Sequence, residues 1–138
     1  MKTVWCVAFL ALTLVEAKRT VITVPQENIP QVLKASADCI AKHGVDADTL
    51  KKIVSWDVQD TDSFRKFLYC FARTAGYADN KGHLVPETMS KLVVNHKKKD
   101  EFLNTIDECN KQNGSDKYET MFKTANCFYQ NSPVLFKM

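Results

Sequence analysis

The chain has 138 residues, a formal net charge of +3, 45% hydrophobic and 25% charged side chains, and five cysteines against four glycines and four prolines. That length leaves room for one core, and the balance excludes disordered, collagen-like and low-complexity chains. The basic excess is too slight for a nucleic-acid binder of this size.

At the N-terminus, Lys2 precedes an apolar run from Val4 to Val15, and Val15-Glu16-Ala17 offers a small residue ahead of Lys18. This pattern reads as a secretory signal peptide over residues 1–17, with a single mature domain over 18–138 and an extracellular, secreted destination. The run is too short for a comfortable membrane span, and nothing downstream approaches the roughly 20 apolar residues that stable membrane insertion needs. Cys6 goes with the leader, so the mature chain keeps Cys39, Cys70, Cys109 and Cys127. An even count in a small secreted domain reads as two disulfides, and four cysteines allow three pairings. The intervening gaps of 30, 38 and 17 residues, with His43, His83 and His96 scattered among them, do not match metal-ligand spacing. Neither a metal nor any other cofactor is expected.

Helix one is expected from Asn28 to Lys42, with Ile29, Val32, Leu33, Ser36 and Ile40 at helical spacing and His43-Gly44 closing it. Asp46 or Asp48 caps a short second helix through Leu50, Ile53 and Val54, ending near Trp56. The cluster Asp60-Thr61-Asp62-Ser63 caps helix three, whose stripe of Phe64, Phe67, Leu68 and Phe71 runs to a stop at Gly76. A hairpin-like turn follows at Asp79-Asn80-Lys81-Gly82. Pro86 opens helix four, with Met89, Leu92 and Val93 on one face, and the run His96 to Lys99 marks its basic end. Helix five starts at Asp100, carries Phe102, Ile106 and Cys109, and breaks at Asn113-Gly114. Asp116 and Glu119 form a capping box for helix six, which carries Met121, Phe122, Ala125, Cys127, Phe128 and Tyr129 and stops at Ser132-Pro133. The closing Val134 to Met138 is apolar and is expected to dock. No strand pattern of useful length appears, so the expected class is all-α with six short helices around a hydrophobic interior.

The cysteine frame and the segment Phe67-Leu68-Tyr69-Cys70-Phe71, followed by Gly76-Tyr77 and Asn80-Lys81-Gly82, resemble the insect pheromone- and general odorant-binding proteins. That family carries six cysteines on six helices. Its second and fifth positions fall here on Lys66 and Tyr118, so the chain resembles the four-cysteine branch, often called Minus-C. The resemblance implies an odorant-binding-protein-like fold with Cys39 paired to Cys70 and Cys109 to Cys127, each bridge worth roughly 3–4 kcal/mol by loop entropy. It leaves helices three and six without a tether, Tyr118 shielding the gap and Lys66 reaching solvent or Asp116.

The same resemblance implies reversible transport, through aqueous fluid, of odorants, pheromones or related lipids, with no bond made or broken. Expected partners are a small apolar organic ligand and a membrane receptor; nucleic acid is not a partner, and the chain is expected to be a monomer or weak dimer. The candidate lining is Ile53, Trp56, Leu68, Phe71, Leu84, Met89, Leu92, Phe102, Ile106, Met121, Phe122, Ala125 and Phe136, in which the thioethers favour breadth over selectivity. Tyr69 and Tyr129 are candidate hydrogen-bond donors to a ligand, set against the commoner role of bonding backbone or solvent. The tail, through Val134, Leu135 and Phe136, either lids the cavity or packs across helix one. Protonation of a histidine would make release pH-dependent, although the sequence sets none of the three beside a carboxylate.

Enzyme chemistry is not expected: the four thiols are taken up in bridges, and no Gly-x-Ser-x-Gly occurs. The rival function is a secreted helical interaction or structural fluid protein with a filled core. Asn113-Gly114-Ser115 is a glycosylation sequon compatible with either.

Overall fold

A computed structural model describes residues 19–138; the proposed leader, residues 1–17, and Cys6 lie outside the described residues. The chain runs β1 (Thr20–Thr23), a 3-10 turn (Gln26–Asn28), α1 (Ile29–His43), α2 (Thr49–Ser55), α3 (Asp62–Thr74), α4 (Pro86–Ser90) continued by a 3-10 turn (Lys91–Val93), α5 (Lys99–Cys109), α6 (Lys117–Asn131) and β2 (Val134–Lys137). Helix α3 is central and packs against both α1 and α6, while α5 packs on α6.

Local chemistry explains most of the boundaries. Gly44 ends α1 in the left-handed conformation, φ 62°, and its N–H donates to the Ile40 carbonyl at 2.9 Å. The Thr61 side chain accepts from the Phe64 N–H at 3.1 Å and starts α3. Gly82, in the predicted turn, sits at φ 91°, and a Cβ there would lie 2.4 Å from the Lys117 carbonyl oxygen. Only glycine lets this turn press against the start of α6.

Three local readings need correction. Helix α4 does not reach the basic run: it tightens to a 3-10 turn at Lys91 and ends before Asn95, which is left-handed at φ 59°. Lys98 and Lys99 therefore stand at the start of α5, where cations oppose the helix dipole, and Asp100 and Glu101 in its first turn offset them. The capping box at α6 is half made. Asp116 accepts from the Glu119 N–H at 2.8 Å, but the Glu119 carboxylate turns away to Ser115, Lys123 and Arg65. Two strands form where none was expected. β1 and β2 pair in parallel from Thr20↔Val134 to Thr23↔Lys137, and the apolar tail docks by this pairing and against α2, not across α1. Arg19 adds hydrogen bonds to the carbonyls of Tyr129 and Gln130 at the end of α6.

Disulfides join Cys39 to Cys70 and Cys109 to Cys127, fastening α1 to α3 and α5 to α6. Between α3 and α6 there is none. Lys66 pairs with Asp62 one turn back, at 3.2 Å, and not with Asp116. Tyr118 packs edge-on against Tyr69, with ring centroids 5.3 Å apart, and Lys117 Nζ lies over both rings. Arg65 spans the same seam, bonded to Asp60 at 2.6 Å, 3.5 Å from Glu119, and lying over the Phe122 ring.

Candidate functional site: an apolar cavity

The inward stripes of α1, α2, α3 and α6 do not quite meet. They leave a cavity of about 100 Å³, completed by the α4 region and by β2. Val32 comes from α1, Ile53 and Val54 from α2, Leu68, Phe71 and Ala72 from α3, and Met121, Ala125, Phe128 and Tyr129 from α6. Val24, Tyr77, Leu84, Met89, Leu92, Phe136 and Met138 close the remainder. Most of these side chains are buried, whereas Val54, Tyr129 and Phe136 are half-buried and Met138 is exposed. The mouth therefore lies between α2, the end of α6 and β2.

Of the residues singled out in the sequence, Ile53, Leu68, Phe71, Leu84, Met89, Leu92, Met121, Ala125 and Phe136 are on this wall. Four others are not. Phe102 and Ile106 are fully buried on the inner face of α5, where Phe102 packs edge-on against Phe128 and Phe136, so they form the core behind the wall. Phe122 faces the α3–α6 seam, against Phe64 and under Arg65. Trp56 stacks flat on Tyr129 from outside, with centroids 4.5 Å apart, and its Nε1 donates to Asn126 at 3.0 Å. Helical periodicity tells an inward face from an outward one, but not a face on a void from a face on another side chain. Val32, Val54, Ala72 and Phe128 were missed for that reason, although Val32 and Phe128 already stood on recognised stripes; Val24, Tyr77 and Met138 lie outside the helices, where no periodicity applies.

Among the described residues no charged side chain lines the cavity, and of those on its wall only Tyr77 and Tyr129 end in a hydroxyl. Burial pushes the Tyr129 phenol well above its ordinary range, and the neighbouring Tyr77 pushes it further. Burial also raises Tyr77, against the opposing hydrogen bonds of Gln31 and Asn28. Both stay protonated at neutral pH and so remain neutral donors. Tyr69, the other tyrosine considered, donates to the Asn80 carbonyl at 3.1 Å and lies off the wall. His83 contacts the Gln112 carbonyl and His96 accepts from the Lys98 N–H, so neither ring faces the cavity. Asn113 is exposed in the loop between α5 and α6. Among the described residues no group of His, Cys, Asp or Glu is placed to hold a metal, and no helix is long and apolar enough to cross a membrane.

Six helices and two disulfides define a stapled helical domain around a small apolar cavity. A model of the PBP/GOBP family matches residues 23–131, and the chain belongs to that family. Two solved structures share its fold. One is a fatty acid binding protein, OBP56a, from the oral disk of the blowfly Phormia regina, with a TM-score of 0.63 and 20% identity, covering 80% of this chain and 96% of its own. The other is the odorant binding protein lmigOBP1 of Locusta migratoria, also at 0.63 and 20%, covering 81% of this chain and 87% of its own. No curated protein matches the chain.

Proposed function

We propose that this protein is a secreted, non-enzymatic carrier that binds small apolar molecules reversibly and moves them through aqueous fluid. The observation that supports this most is an internal wall with no charged side chain and an opening beside β2. Burying apolar ligand surface yields about 25 cal/mol per Å², less the freedom lost on binding, so micromolar affinity is the natural range. Residues 1–17 act as the export signal, and Asn113 is available to glycosylation on that route. Lys66 and Tyr118 stand where the full cysteine pattern has its second and fifth members, which supports a place in the four-cysteine branch.

A cavity of about 100 Å³ is smaller than the roughly 300–1,000 Å³ usual for ligand sites, so a bound molecule must push the wall outward. Met89, Met121 and Met138 are the side chains most able to give way. The same small volume favours the rival function, a helical interaction protein with a nearly filled core. Native mass spectrometry of the secreted protein, together with titration by an apolar fluorescent dye, separates the two. A carrier shows co-purified lipid or saturable dye uptake in the micromolar range; absence of both leaves the interaction protein.

A further inference from the structure

We propose that the cavity selects neutral ligands bearing one oxygen acceptor, such as an aldehyde, ketone or ester, over carboxylates of equal chain length, and that Tyr129 donates to that oxygen. This rests on the carrier function and narrows its ligand class. An anion drawn inside would lose its water and meet no cation on the wall, a cost that neutral carbonyl compounds do not bear. The two wall hydroxyls are not equivalent. The Tyr77 oxygen accepts from Gln31 Nε2 at 3.4 Å, which holds it toward α1 while leaving its proton free, whereas no hydrogen bond engages the Tyr129 hydroxyl among the described residues.

Tyr129 is also held in place before any ligand arrives. Its ring lies flat against Trp56, at an interplanar angle of 6°, and edge-on to Phe128 at 5.4 Å. Trp56 holds an uncommon backbone conformation for a bulky residue, φ 53°, at the end of α2, and its indole is fixed to α6 by the Asn126 hydrogen bond. Trp56 is thus a positioning residue: it sets the Tyr129 ring without touching the cavity. A donor fixed in advance loses little freedom on binding, and one net hydrogen bond corresponds to about three- to tenfold in affinity.

The test uses N-phenyl-1-naphthylamine as reporter, displaced at neutral pH by decanal, decane or decanoate. Decanal is expected to compete about ten times better than decanoate, and Tyr129→Phe to weaken decanal about three- to tenfold while leaving decane unchanged. Tyr77→Phe should leave decanal within about twofold. Decanoate competing as well as decanal in the unaltered protein overturns this inference alone, as does a Tyr129→Phe variant that binds decanal and decane with unchanged preference. If Tyr129→Phe fails to fold, the decanal-to-decanoate ratio of the unaltered protein still decides. Uptake of neither dye nor decanal overturns the carrier function, and this inference with it.

Discussion

Helix α3 makes two long seams, one with α1 and one with α6, comparable in extent but fastened differently. The α1 seam is locked by Cys39–Cys70 and filled by apolar side chains. The α6 seam has no covalent tie and is held by Arg65 reaching Glu119, by the Phe64–Phe122 contact and by the Tyr69–Tyr118 contact. Yet α3 and α6 together supply much of the cavity wall, from Leu68, Phe71 and Ala72 on one side to Met121, Ala125, Phe128 and Tyr129 on the other. A guest larger than the cavity would press on this seam, which is the one held by exchangeable contacts.

Breaking the covalent seam has the largest expected effect. Replacing Cys39 and Cys70 with serine should cost about 3–4 kcal/mol and lower Tm by roughly 10–20 °C, read by thermal and denaturant unfolding. Equal stability of variant and parent would show that packing alone holds α1 to α3. The converse experiment fastens the open seam. Lys66→Cys with Tyr118→Cys should form a bridge on oxidative refolding and raise stability by about 1–2 kcal/mol, less than loop entropy alone predicts because engineered bridges strain their surroundings. It should also slow dye uptake. Free thiols after refolding would mean that these positions do not correspond to the missing pair.

The smallest effect concerns charge. Arg65→Met should lower Tm by roughly 2 °C at neutral pH, since the pairs are partly solvated. Its bond to Arg65 holds the Asp60 carboxyl below its ordinary value, and Lys123 and Ser115 do the same for Glu119. Carboxyls with lowered folded-state values contribute stability that is fully present above about pH 4 and lost as pH falls through those values. The gap in Tm between parent and Arg65→Met should therefore close as acid protonates these carboxyls, while the Glu119 share, which rests mainly on Lys123, persists in the variant until the same acid range. A gap independent of pH would attribute the effect to the guanidinium's packing on Phe122.

What was legible in the sequence follows from how local each signal is. Thr61, Asp116 and Gly44 act within four residues of themselves, so the ends of α3, α6 and α1 were readable from side-chain chemistry. The short α4 was not, because it tightens to a 3-10 turn at Lys91 and turns extended at Val94, φ −56° and ψ 129°, where no side chain signals a stop. The strands were invisible for a different reason: each is four residues long, and each finds its partner at the far end of the domain. The cavity was half legible. Ile53, Leu68, Phe71 and Met121 followed from inward stripes, but Phe102 and Ile106 sit on an equally good stripe and face solid core. Whether a face meets a void is decided by how several helices are set together, which no single helix encodes.

The β1–β2 pairing also carries a kinetic consequence. Joining Thr20 to Val134 requires closing a loop that encloses nearly every other element, and the entropy of so distant a contact favours its forming after the helices have collapsed. By microscopic reversibility, what docks last is released first. With four residues on each side and Val21 exposed, this ribbon should exchange its amide hydrogens faster than α3 or α6. Because Phe136 belongs to both the ribbon and the cavity wall, fraying of the ribbon would open the wall on that side.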